Sequence, residues 1–340
     1  MNTLETIRAH KERLGNRLSI LAHHYQMDEI VELADITGDS LELARRIDTL
    51  EAEYIIFCGV YFMAESAAIL RREDQSIYLP DKAATCPMAD MAQPAQVRTA
   101  LEALGKNRKI VPLTYVNSSA GVKAVVGAAG GSVCTSANAS TMLRWAMERG
   151  DAVLFLPDRH LGWNTADKIG LPESERLHLT QADLIPGSMR VEAHSARLLL
   201  WPGHCPIHDA YGPNLVAEVR KTRPGALVAV HPESPPAVVQ AADADGSTSF
   251  LIRYCAEAPE GAELVLGTEA SLVNRLATEY KGRKRITHLA LGYCEDMLKT
   301  TPVKLVRLLD GLHTAAPVTV SDDIRNPARL ALERMLEACA

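Results

Sequence analysis

Twelve short apolar runs recur along the chain in three sets of four, each separated from the next by a stretch long enough for a helix. The first set is LSILAHHY, LADITGDS, AEYIIFCGV and SIYLPDKAATC. The second is KIVPLTYVN, GSVCTSAN, AVLFLPDRHLG and RLLLWPGHC, and the third is ALVAVHPE, AADADGSTS, AELVLGTE and ITHLALGYC. Strands of this kind alternating with helical stretches predict parallel βαβ units joined by right-handed crossovers, so the chain reads as three small α/β domains. In such units the reactive groups stand at the carboxyl ends of the strands. Helical periodicity supports the connections: in SLELARRIDTLEA the residues Leu41, Ala44, Ile47 and Leu50 or Ala52 recur near 3.6, with charge opposite. SANASTMLRWAMERG and TEASLVNRLATEYKG read as helices stopped by Gly150 and Gly282. The opening MNTLETIRAHKERLG is a charged helix, and the tail reads as two more helices with Pro302 and Pro327 near their starts. The expected division is residues 1–87, 88–205 and 206–294, with C-terminal helices of 295–340 packing back on the first repeat.

Polar residues close each run in register. First runs end in His23 and Tyr25, in Tyr115 and Asn117, and in His231 and Glu233; second runs end in Ser40, in Thr135 and Ser136, and in Ser247 and Thr248. From His23 to Cys86 and from His231 to Cys294 the distance is 63 residues, whereas Tyr115 to Cys205 takes 90. Two copies in step and one longer point to a single ancestral unit with an insertion in the second copy. The repeat places Cys86, Cys205 and Cys294 at one equivalent position, each after a fourth run. Three thiolates converging on one point would leave a metal centre with a vacant position, which is what makes a bound metal a Lewis acid. A single cysteine in an apolar stretch is usually a small core residue, and that reading is given to Cys58 and Cys255. Cys339 reads as incidental, and Cys134 in VCTSAN stays ambiguous.

Composition narrows the partners. Aromatic residues are 5% of the chain, too few for a stacking platform, and a net charge of -6 offers no basic face for nucleic acid. Local positive potential at helix N-termini still allows small anionic substrates. The start carries no signal peptide and no apolar run reaches membrane-spanning length, so a cytoplasmic protein is expected. Seven cysteines, an odd number, favour reduced thiols or metal ligands over a disulfide framework.

The blocks LAHHYQMDEIVELADITGDSLELA, FCGVYFMAE, CPMADM, TYVNSSAGVKA, VCTSANA, LFLPDRHLG, WPGHCPIH, HPESP, GSTSFL, GTE and CEDMLKTTPVKL, in that order, resemble the quinolinate synthase family of bacterial NAD biosynthesis. The resemblance runs from about residue 19 to residue 312. It implies three pseudo-threefold-related αβα domains, each with a small four-stranded parallel sheet, around a central active-site cavity. It also implies an oxygen-sensitive 4Fe-4S cluster held by Cys86, Cys205 and Cys294. The implied reaction condenses iminoaspartate with dihydroxyacetone phosphate to quinolinate, phosphate and two waters, with transient contact to L-aspartate oxidase as a further expectation. Carried over by motif, His23, Tyr25, His231 and Glu233 would be the acid/base set, and Tyr115 and Asn117 would orient substrate. Ser40, Ser136, Ser247 and Thr248 would hold carboxylate and phosphate oxygens.

Blander readings stand beside these. Ser40, Ser136 and Ser247 occupy positions where N-caps belong, and His24, His204 and His208 read as structural histidines. Asp158, His160, Thr268 and Glu269, at the ends of third runs, are expected to support the site from outside it. The chain departs from the family in having Ser234 after HPE, Leu291 and Gly292 before Tyr293 in place of a CxxC, and an extra stretch within about 165–196. That stretch reads as a surface excursion in preference to a lid, with His178 and His194 as an accessory-metal option. A zinc-dependent lyase or aldolase using the same thiolates, or a non-catalytic three-repeat scaffold, are the alternatives.

Overall fold

The computed structural model describes residues 2–340 and is an α/β protein containing three sheets. The first comprises β1 (Leu18–His23), β2 (Ile36–Gly38), β3 (Tyr54–Cys58) and β4 (Ser76–Tyr78) in the order β2-β1-β3-β4. The second comprises β5 (Ile110–Tyr115), β6 (Ser132–Cys134), β7 (Ala152–Leu156), β8 (Arg176–His178) and β9 (Leu198–Leu200) in the order β6-β5-β7-β9-β8. The third comprises β10 (Leu227–Val230), β11 (Ala244–Asp245), β12 (Glu263–Gly267) and β13 (Arg285–His288) in the order β11-β10-β12-β13. Each of the twelve apolar runs holds one strand, and setting β8 aside, the same order recurs in all three sheets. The pairings are parallel, β1 with β2 and β3, β5 with β6 and β7, and β12 with β13. Every residue of β1, β5 and β7 is buried, as expected of strands covered on both faces.

The chain packs as two compact units. One holds the segment ending at Cys86 with Asn214–Ala229 and Ser247–Val320; the other holds Pro87–Pro213, Val230–Gly246 and Ser321–Ala340. In the first unit the amino-terminal helix Thr3–Leu14 is closed by an Asn2–Glu5 capping box. Its Ile7 meets Leu18 and Ile20 of β1 and Leu305, Leu309 and Leu312 from the helix Pro302–Asp310 and the turn after it, in one apolar core. The tail helices do not stay together. Helix Pro302–Asp310 packs on the helix Thr3–Leu14 of the first repeat, whereas helix Asp322–Ala338 packs on helix Ala120–Ala128 and β6 of the second. There Ser132 Oγ donates to Ala331 O, and Arg334 donates to the carbonyls of Gly127 and Gly131.

The extra stretch in the second repeat begins later than 165 and carries structure of its own. Residues up to Ile169 belong to the helix Arg159–Ile169, the counterpart of Tyr61–Leu70 and Ala270–Glu279. Beyond that helix the chain adds β8 as a fifth strand, parallel to β9, at the sheet edge. Buried Leu179, Leu184, Ala193 and Ala196, and the Arg108 guanidinium on the carbonyls of Ala193 and Ala196, tie this segment to the domain. His178 stacks on Trp163 at 4.9 Å, and His194 is exposed. Among the described residues, neither joins a group of three metal-competent side chains.

Two helices end differently from the pattern. The stretch expected as one helix over 40–52 is the helix Ser40–Ala44 followed by a 3-10 turn Ile47–Thr49. Gly282 is left-handed at φ +81°, as a stop residue requires, but Gly150 lies against Lys109 O and Val111, where it allows close approach.

Candidate functional site

One backbone hydrogen bond repeats at the carboxyl edge of all three sheets. The first amide of each third-run helix donates to the carbonyl two residues before the cysteine: Tyr61 to Ala84 at 2.7 Å, Arg159 to Gly203 at 2.9 Å and Ala270 to Gly292 at 2.9 Å. Cys86, Cys205 and Cys294 therefore occupy one structural position in three repeats. Each opens a short helix, Pro87–Asp90, Pro206–Asp209 and Glu295–Leu298 respectively. Gly203 makes this approach possible in the second repeat, since a Cβ there would sit 2.5 Å from Pro157 O. All three cysteines are partly exposed, whereas Cys58, Cys134 and Cys255 are fully buried and none of the seven is in a disulfide. Burial pushes the Cys58 and Cys255 thiols up to about 12 and Cys134 well up, the state of inert core residues. Cys294 is also raised, to about 11, by burial first.

In the second unit, a buried polar constellation surrounds Glu233, which is 4% exposed. Tyr115 at the end of β5 donates its hydroxyl to Glu233 Oε1 at 2.6 Å, and His208 Nδ1 lies 2.8 Å from Oε2. The same His208 Nδ1 is 3.3 Å from Cys205 Sγ, so Cys205, His208 and Glu233 gather their donor atoms within 4.8 Å of one another. The His231 ring stacks on His208 at 4.6 Å. Burial, working against the Glu233 charge, lowers His231 to about 3 and leaves it neutral. Burial alone would raise Glu233, but His231, His208 and the Tyr115 hydroxyl outweigh it and hold the carboxyl below its ordinary range. With His231 neutral, the two hydrogen bonds carry that stabilisation near neutral pH. Asp158, fully buried, is pushed well up by desolvation and then by the Glu233 charge.

In the first unit, the same local turn follows β1. The Tyr25 amide donates to His23 Nδ1 at 3.1 Å, just as the Glu233 amide donates to His231 Nδ1 at 3.4 Å. An imidazole that accepts at Nδ1 carries its proton on Nε2. Tyr25 Oη and Thr268 Oγ1 are 2.7 Å apart, which brings a third-run residue onto the expected acid/base tyrosine. Asp296 accepts from both the amide and hydroxyl of Thr85 and pairs with Lys299, and Lys299 also donates to Ala83 O. The segments bearing Cys86 and Cys294 are thereby laced together.

The second-run hydroxyls fall into two groups. Ser247 is an N-cap, accepting from the Phe250 amide at 3.3 Å. Ser40 is not: Asp39 caps that helix, in a capping box with Glu42, and Ser40 is its first helical residue. Ser136 lies half-buried in a turn closed by Asn138 Oδ1 on the Thr135 amide, so it too is no cap. Buried polar atoms without a protein partner include Asn117 Oδ1, Thr135 Oγ1 and Thr248 Oγ1, all at ends of first or second runs. Such groups are costly unless something outside the protein pairs with them. His204 and His160 lie beside Asp209, at 3.7 Å and 2.6 Å, and His24 lies beside Ser249 and Glu42. His208 is not the structural histidine expected from the sequence, since it sits between Cys205 and Glu233; its spacing three after Cys205, one helical turn on, is the signal that points there.

A protein of three βαβ repeats, with a cysteine delivered after the fourth strand of each and with Cys205 meeting the buried His208 and Glu233, defines a class of α/β protein that presents cysteine thiols on a repeated scaffold. The chain belongs to the quinolinate synthetase A protein family, which it matches over residues 5–337. It is 43% identical to a quinolinate synthase of Acidobacterium capsulatum over 98% of this chain and 92% of that protein. It is 44% identical to a quinolinate synthase of Streptomyces coelicolor over 97% and 86%, and 43% identical to one of Geobacillus kaustophilus over 97% and 91%.

Proposed function

We propose that the protein is a quinolinate synthase, condensing iminoaspartate with dihydroxyacetone phosphate to quinolinate, with a 4Fe-4S cluster on Cys86, Cys205 and Cys294 and an open iron site. The observation that carries this reading is the equivalent placement of those three cysteines, fixed in each repeat by the same backbone hydrogen bond. Their chemistry fits the group: three partly exposed thiols at matching positions, beside core thiols that are inert. When bound, such a cluster supplies a Lewis-acidic iron able to polarise a hydroxyl or carboxylate of the reacting molecule.

The chain's own residues supply the rest. Glu233 is a carboxylate at neutral pH, held by Tyr115 and His208, and it is a proton acceptor whose oxygens are already oriented. His23 and His231 present Nε2–H as donors to carbonyl or carboxylate oxygens of the substrate. Tyr25, joined to Thr268, exchanges protons through its hydroxyl. Asn117, Ser136, Ser40, Ser247 and Thr248 bind carboxylate and phosphate oxygens, and the unpaired buried oxygens of Asn117 and Thr248 support that role. No described helix is long and apolar enough to cross a membrane.

The test is an anaerobic assay for quinolinate from the two substrates, with wild type beside Cys205→Ser. Wild type is expected to be brown, with roughly four irons and four sulfides per chain, and to make quinolinate; the variant is expected to lose iron and activity. A second reading, a zinc-dependent lyase, is favoured by the Cys205, His208 and Glu233 donor set. A colourless, zinc-loaded, active protein would establish that reading and remove the first.

A further inference from the structure

We propose that Asp158 and Glu269 are positioning residues that brace Cys205 and Cys294. This rests on the reading that these cysteines hold an iron–sulfur cluster. The recurring bonds from Tyr61, Arg159 and Ala270 identify the residues just before them, Val60, Asp158 and Glu269, as one position in three repeats, and each is the N-cap of its helix.

The two carboxylates divide their oxygens in the same way. Asp158 Oδ1 accepts from the Leu161 amide at 2.7 Å, and Oδ2 accepts from the Cys205 amide at 3.2 Å. Glu269 Oε2 accepts from the amides of Ser271 at 2.8 Å and Leu272 at 3.4 Å. Its Oε1 accepts from the Ser271 hydroxyl at 3.2 Å and the Cys294 amide at 3.3 Å. One oxygen takes the helix amides and the other takes the cysteine amide, in Glu269 together with the Ser271 hydroxyl. Val60 offers no side-chain acceptor at this position, and its helix has no side-chain cap.

Capping alone does not account for this arrangement. A hydroxyl or amide caps as well as a carboxylate, yet here carboxylates are buried to 0% and 1% exposure, where desolvation disfavours their charge. The second oxygen explains the choice, because an N-cap Asn or Ser has no further acceptor oxygen to offer the cysteine amide. That bond fixes the backbone from which the thiolate projects. Partners one step removed from a metal ligand set its orientation in the same manner.

Asp158→Asn and Glu269→Gln separate the two jobs. The amide oxygen retains the helix cap, while the NH2 group faces the cysteine N–H as donor against donor. Cluster-loaded wild type and variants, purified anaerobically, would be compared for iron and sulfide per chain and for the rate of iron loss to a chelator, followed by visible absorbance. Melting of the cluster-free proteins would be measured alongside. The expected result is iron release faster by about 10- to 100-fold in each variant, with cluster-free melting lowered less than in Asp158→Ala, which also removes the cap. Wild-type rates of iron release in both substituted proteins would overturn the proposal. A wild type that takes up no iron would instead defeat the cluster reading, and the brace with it. Should one variant fail to fold, the other tests the same arrangement in a different repeat.

Discussion

Replacing His231 with glutamine should flatten the acid side of the stability curve by a calculable amount. Burial takes His231 from the ordinary 6.5 down to about 3, against the pull of the Glu233 charge. Between those values the unfolded chain binds a proton that the folded chain refuses. Stability contributed by the buried neutral ring is therefore complete above the unfolded pKa and is lost as pH falls toward the folded one. At about pH 5.5 the unfolded state gains RT ln(1 + 10), or about 1.4 kcal/mol, and at about pH 7.5 only about 0.1 kcal/mol. Glutamine has no proton to take up, so this component vanishes. Urea unfolding of cluster-free wild type and His231→Gln at the two pH values should show wild type losing about 1.3 kcal/mol more than the variant. Other buried histidines, such as His24 and His160, cancel in the comparison because both proteins retain them. Equal pH slopes would refute the picture of a ring kept neutral by its surroundings.

Glu233→Gln keeps the shape and the Tyr115 contact but removes the proton acceptor, so kcat for quinolinate formation should fall by about 100- to 10,000-fold with the fold intact by circular dichroism. Retained activity would move the base elsewhere. Gly127→Ala should destabilise the second unit, because the new Cβ would stand 1.8 Å from Pro327 O. Overpacking of about 1–3 kcal/mol or more outweighs the about 0.5–1 kcal/mol that alanine gains in a helix. A lowered thermal midpoint checks it, and an unchanged one refutes the close approach.

The strands are legible in the sequence because each apolar run is short, closed by polar residues, and present three times; the cysteines are legible because the repeat gives them a register. β8 is not, since Arg176–His178 is a three-residue, largely polar edge strand with no periodic signal. Local capping chemistry is also hidden: Asp39 and Ser40 are both good caps by type, and only the backbone shows that Asp39 takes the position. His208 is marked in the sequence only by its spacing of three from Cys205, and its other partner, Glu233, lies 25 residues further on. Asp158 and Glu269 are placed near the site by their run ends, but the division of their oxygens between helix and cysteine is a matter of geometry alone.

The parting of the two tail helices has a consequence for synthesis. Ala328, Ala331, Leu332 and Met335 are fully buried in the helix that covers β6 and Ala120–Ala128. The second unit, begun at Pro87, therefore cannot close its apolar surface until Ser321–Ala340 has left the ribosome. The first unit has all its segments by Val320. Loss of residues within Ser321–Ala340 thus falls on the half that carries Glu233 and Cys205 and removes nothing from the half that carries Cys86 and Cys294.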